Sequence, residues 1–169
     1  MIDAKNMLVL IFIFMFLGGY LIIYEPNKKQ DKMRLFTFDT DKVEEIKLKK
    51  GGILYYFHKK DSAWVTQSPY HGSAPPEVIK GFLNLLTYGI IRIIDINADD
   101  LTRYGLEKPL VEFSIRLNGE YDFKTLLIGD SNPARTTCYA KIMGEPSVFL
   151  LGNIFRWELE RDIPTGKSE

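Results

Sequence analysis

His58 and His71 are the only candidates in this chain for a base that works near neutral pH. His58 falls in an alternating apolar segment and His71 in a loop before a helix. Neither has a nucleophile at a spacing that would make a catalytic pair. Asp95-x-Asn97-x-Asp99 opens like a calcium loop, in which oxygens at alternate positions converge on a hard cation. Asp100 then stands where that turn needs glycine, and Leu106 where the bidentate glutamate belongs, so helix capping explains these acids better. Gly166-Lys167-Ser168 has the ending of a phosphate loop, but Arg161 occupies the position of its first glycine and no strand precedes it. Cys138, the one cysteine, has no His or second Cys near it in sequence and reads as a core thiol. The expectation is a protein that is not an enzyme and holds neither cofactor nor metal.

What remains is contact chemistry. Tyr70, Tyr121 and Trp157 are the aromatic side chains that would serve a module recognising a lipid or a glycan. Twenty-two basic and 22 acidic residues cancel, which argues against nucleic acid, since phosphate binding relies on a basic surface. The charge is nonetheless uneven. Residues 26–60 carry ten Lys or Arg against five Asp or Glu, and residues 95–130 carry four against eight.

The elements that would position these groups begin with the run 6–24, NMLVLIFIFMFLGGYLIIY, which has no formal charge and reads as a single transmembrane helix. No small-x-small cleavage site follows it, so residues 1–25 are expected to be an uncleaved signal anchor. Gly18 and Gly19 within it offer a smooth patch where another membrane helix could dock. Residues 26–34 form a basic linker, 35–163 one domain and 164–169 a frayed tail. Lys28, Lys29, Lys32 and Arg34 follow the run and only Lys5 precedes it, which by charge counting would keep the domain in the cytoplasm.

Within the domain, Gly51-Gly52 predicts a hairpin that pairs Leu48 with Tyr55 and Ile46 with Phe57. Trp64, on the next strand, is expected to cap the core. Ser73 is expected to cap an amphipathic helix running to about Tyr88 and burying Val78, Ile79, Phe82, Leu83 and Leu86. Residues 90–96 read as a strand, and Asn97 as the start of a short helix. That helix ends in a Schellman motif, with Gly105 left-handed, Leu106 against Leu101, and Tyr104 and Pro109 completing the pattern. Val111 to Leu117 and Tyr121 to Leu127 alternate, and a three-residue connection would pair Ile115 with Phe123. Residues 129–133 read as a loop, two more strands follow, and Asn153 is expected to cap a last helix. The fold class expected is α+β: the transmembrane helix, then one domain with a mainly antiparallel sheet and one main amphipathic helix.

Leu35-Phe-Thr-Phe-Asp39, Val43-x-x-Ile46, Gly51-Gly52, Trp64, Tyr104-Gly-Leu-x-x-Pro109, Thr125-Leu-x-Ile-Gly-Asp130, Pro133 and Cys138-Tyr-Ala140 follow one another in an order that resembles the DUF4340 family over about residues 35–151. The resemblance implies a bacterial envelope protein with an N-terminal anchor and an extracytoplasmic domain, in some members associated with ABC-type transporters. It brings no catalytic residues. It also opposes the charge count on topology, and the extracytoplasmic placement, at the inner membrane, is the one expected here. The function expected is a non-enzymatic accessory or scaffold subunit whose partners are an integral membrane protein complex and the lipid bilayer; a lipid- or glycan-binding module is the alternative.

Overall fold

The computed structural model describes residues 6–7, 13–17, 19 and 34–163. The chain divides into two compact units, Met1–Arg34 and Leu35–Glu169. In the second, nine strands form one sheet in which every pairing is antiparallel: β1 (Val43–Lys50), β2 (Ile53–Lys60), β3 (Ala63–Ser68), β4 (Gly72–Ser73), β5 (Arg92–Asp95), β6 (Val111–Leu117), β7 (Lys124–Ser131), β8 (Thr137–Ile142) and β9 (Val148–Gly152). Their order across the sheet is β4-β3-β2-β1-β6-β7-β8-β9-β5. Two helices, α1 (Pro76–Leu85) and α2 (Asn153–Glu160), complete the domain with two 3-10 turns.

This corrects the expected fold class. Among the described residues no helix is long and apolar enough to cross a membrane. Of the run 6–24, the described residues are helical, but they are few. The rest of the expected span lies outside the described residues. The domain itself is mainly antiparallel sheet, as expected, with few helices. Ser73 does not cap α1, because it pairs with Val65 in the sheet, and Pro75 precedes the helix without a side-chain cap. The helix expected from Asn97 shrinks to a 3-10 turn, Thr102–Tyr104.

The hairpin β1–β2 has the predicted register, Leu48 opposite Tyr55 and Ile46 opposite Phe57, and buries all four side chains. They meet Val78, Ile79, Phe82 and Leu85 of α1, Phe155 and Leu159 of α2, and the inward residues of β6 to β9 in one core. The Phe82 ring stands 6.0 Å from that of Phe57 and 5.6 Å from that of Phe113, so it joins two non-neighbouring strands. Trp64 packs half-buried against this core.

The β6–β7 register differs from the expected one by a residue: Ile115 faces Lys124, not Phe123. A slip of one exchanges the two faces of a strand. Leu126 and Ile128 therefore enter the main core, while Leu127 joins a second cluster with Tyr104, Leu106 and Val148. β7 is covered on both sides, and its apolar residues consequently do not alternate. The loop expected at 129–133 begins later, since β7 continues through Ser131 with an irregularity after Ile128.

Candidate functional site

Asn153, Arg156, Trp157 and Glu160 recur at i, i+3, i+4 and i+7, the spacing of a single helical face. Phe155 and Leu159 of the same helix are buried in the core, so the polar stripe of α2 is turned away from it. The stripe lies along the turn between β7 and β8. Together with Asp130, Ser131, Asn132, Pro133 and Arg135 it lines a cleft of about 840 Å³.

Both walls are braced. Arg156 donates from Nε to Glu160 Oε1 at 2.7 Å and from Nη1 to Ser131 Oγ at 2.7 Å, which ties α2 to the end of β7. Asn153 Nδ2 donates to the Arg135 carbonyl, so this asparagine joins the turn instead of capping the helix; Gly152 precedes α2 without a side-chain cap. Asn132 Oδ1 accepts from the N–H groups of Thr136 and Thr137 at 2.9 and 3.2 Å, and the Arg135 N–H donates to the Asn132 carbonyl at 2.8 Å. Among the described residues the Asp130 carboxylate and the Arg135 guanidinium make neither hydrogen bond nor ion pair. Trp157 is 68% exposed.

Of the three aromatics singled out from sequence, only Trp157 lies in this cleft. Tyr121 is 94% exposed between β6 and β7, and Tyr70 is half-buried between β3 and β4. The helical stripe was readable as a spacing. That Asp130 and Arg135 would face it depends on a turn 18 to 23 residues earlier in the chain, which no local pattern announces.

The acids and the turn at Gly105 have structural partners. Tyr104 closes a 3-10 turn, Gly105 has φ +66°, and the N–H groups of Gly105 and Leu106 donate to the carbonyls of Thr102 and Leu101 at 3.1 and 3.0 Å, the bond pair of a Schellman ending. Leu106 packs in the second cluster with Leu101, and Pro109 lies half-buried ahead of β6. The Tyr104 hydroxyl donates to Asp95 Oδ2 at 3.1 Å, and Asp95 Oδ1 accepts from the Asn97 N–H. Asp100 accepts from both the N–H and the hydroxyl of Thr102, and the hydroxyl contact holds its carboxyl below the usual range. These acids serve turns. Among the described residues no three His, Cys, Asp or Glu are grouped to hold a metal ion. Cys138 is fully buried in β8, and burial pushes its thiol up to about 11. His58 lies on β2, its ring 5.9 Å from that of Tyr56, and His71 is exposed beside β4. Gly19 is helical, with nothing within 4 Å of where a Cβ would stand; Gly18 and residues 164–169 lie outside the described residues.

Two further surfaces stand out. On the face of β1, β2 and β6 away from the helices, Arg116 pairs with Glu45, Glu45 bonds Tyr56, and the Lys47 ammonium sits 3.7 Å above the Phe123 ring. At the end of the sheet, Ile91, Ile93 and Ile96 on and beside β5 are 50%, 49% and 70% exposed. Ile91 and Ile154 both come within 3.8 Å of the position a Cβ on Gly152 would take, so the apolar strip continues onto the start of α2.

The model of a family described as a domain of unknown function, DUF4340, matches residues 64–163, from β3 through α2 and therefore including the whole cleft. No curated protein and no solved structure matches the chain.

Proposed function

The chain belongs to the DUF4340 family, and from that premise we propose that it is a non-enzymatic accessory or scaffold subunit that docks an integral membrane protein complex of the bacterial envelope, an ABC-type transporter being the class the family resemblance suggests. The observation that carries this reading is the β5 edge. A terminal strand offers unpaired N–H and C=O groups to an incoming chain, and proteins ordinarily blunt such edges with charge. Here β5 carries Arg92 and Asp95 at its two ends, yet Ile91 and Ile93, flanked by Ile154, are also exposed along it. The occupant it suits is an extended segment of the partner with apolar residues at alternate positions, added as a tenth strand.

Asp95 and Asp100 accept hydrogen bonds within turns, and Cys138 is a buried thiol, which gives these three side chains structural roles compatible with the reading. Placement at the inner membrane, with the domain extracytoplasmic, belongs to the proposal. Its support is the uncharged composition of residues 6–24 together with the resemblance, not a spanning helix.

Copurification from gently solubilised membranes tests the reading when native chain is compared with Ile91→Lys/Ile93→Lys. The exposed positions tolerate lysine, so the variant is expected to fold and to lose its partner, and the backbone amides of Arg92–Asp95 are expected to exchange more slowly in the native complex. A double variant that retains the full complex, or unchanged exchange on β5, overturns it.

A further inference from the structure

We infer that the cleft between the β7–β8 turn and α2 binds a neutral oligosaccharide. Its charges come first. Asp130 and Glu160 are balanced by Arg135 and Arg156, so the site carries no net field that would concentrate phosphate or another polyanion. Among the described residues Trp157 and Pro133 are the only apolar side chains on the walls, and two such side chains do not make a trough for an acyl chain. A ligand must therefore be uncharged, rich in hydroxyl groups, and able to cover one flat apolar surface.

A sugar ring meets all three demands. Its C–H face matches an indole, which is a rigid apolar plate whose exposure to water is unfavourable, and Trp157 is such a plate, 68% exposed. Its neighbouring hydroxyls match planar groups that take two hydrogen bonds at once. The Asp130 carboxylate accepts and the Arg135 guanidinium donates, and both are uncommitted among the described residues. Arg156 is already bonded to Glu160 and Ser131, and Asn153 to the Arg135 carbonyl, so the walls are set before any ligand arrives and little order remains to be imposed on binding. The volume, about 840 Å³, lies within the range of small-molecule sites and admits more than one ring.

This site is independent of the β5 edge, and either can fail without the other. The test uses the full-length chain with three neutral probes of different linkage, maltotetraose, cellotetraose and chitotetraose, and inorganic phosphate as the charged probe. Saturation-transfer NMR reports binding without relying on the indole signal. At least one tetrasaccharide is expected to bind with a Kd of about 1 mM or tighter, weakened about tenfold or more by Trp157→Ala and by Asp130→Asn, and largely kept by Trp157→Phe. Both altered side chains lie on the cleft wall outside the core, and unchanged thermal unfolding of each variant verifies its fold. No saturation transfer to any of the three at about 10 mM, equal binding by Trp157→Ala, or tighter binding of phosphate than of every tetrasaccharide overturns the proposal.

Discussion

A Cβ on Gly129 would stand under 3.0 Å from the carbonyl oxygen of Tyr104, so the backbone of β7 and the 3-10 turn that ends at Gly105 touch with no side chain between them. The relationship is mutual. A Cβ on Gly105 would lie 2.6 Å from the Asp130 carboxyl carbon and 2.9 Å from the Asp130 backbone nitrogen. The turn that carries Tyr104 into the second cluster is thereby pressed against the strand that ends at the cleft. Gly129→Ala is expected to cost about 2 kcal/mol or more, because the obstacle is backbone and cannot rotate away. Gly105→Val adds a β-branched residue at φ +66° and is expected to cost more than about 1 kcal/mol. Urea unfolding measures both, and native-like midpoints in either variant would remove the close approach as a constraint.

Phe82 bridges β2 and β6 from α1, and its replacement leaves a hole that neither strand can fill without breaking its ladder. Phe82→Ala is expected to destabilise by about 3–5 kcal/mol, more than an exposed change such as Tyr121→Ala, which should fall within about 0.5 kcal/mol. Thermal denaturation followed by circular dichroism checks the contrast.

The pair Glu45 and Tyr56 makes stability sensitive at both ends of the pH scale. Burial raises the Glu45 carboxyl, but hydrogen bonds from Arg116 and Tyr56 and the Arg116 and Lys47 charges outweigh it, so it titrates below its ordinary 4.5. Its contribution is whole above pH 4.5 and is lost as pH falls through the lower folded value. Burial and the bond to Glu45 push Tyr56 up from 10.0 to about 12, so its contribution is whole below pH 10.0 and is lost as pH rises toward 12. Arg116→Met should flatten the acid limb and Tyr56→Phe the alkaline limb of a plot of urea midpoint against pH. Limbs unchanged by these substitutions would show that other groups set them.

Cys138 is expected to resist alkylation in the native chain at neutral pH, since burial raises its thiol to about 11 and its sulfur faces the Leu151 carbonyl at 3.8 Å. Labelling should appear only with denaturant and follow the global unfolding curve. Rapid modification of the folded protein would refute the burial.

The sequence by itself determined the features whose causes are local. Gly51-Gly52 and the alternation around it specify the β1–β2 register, since turn chemistry and face pattern agree there. Tyr104-Gly105-Leu106 specifies the left-handed ending, because few residues besides glycine adopt that conformation without strain. The 153/156/157/160 stripe is a helical periodicity. Only the tertiary structure decided the rest. Ser73 is as good a cap as a strand residue until Val65 arrives to pair with it. The phase of β7 was hidden because both its faces are covered: the alternation through Thr125 and Leu127 marks one face, while Leu126 and Ile128 of the other fill the main core. The cleft belongs to this second class: Asp130 and Arg135 reach the α2 stripe only because β8 and β9 return the chain to the end of β7, and contacts between residues so far apart in sequence are set by sheet order rather than by any spacing.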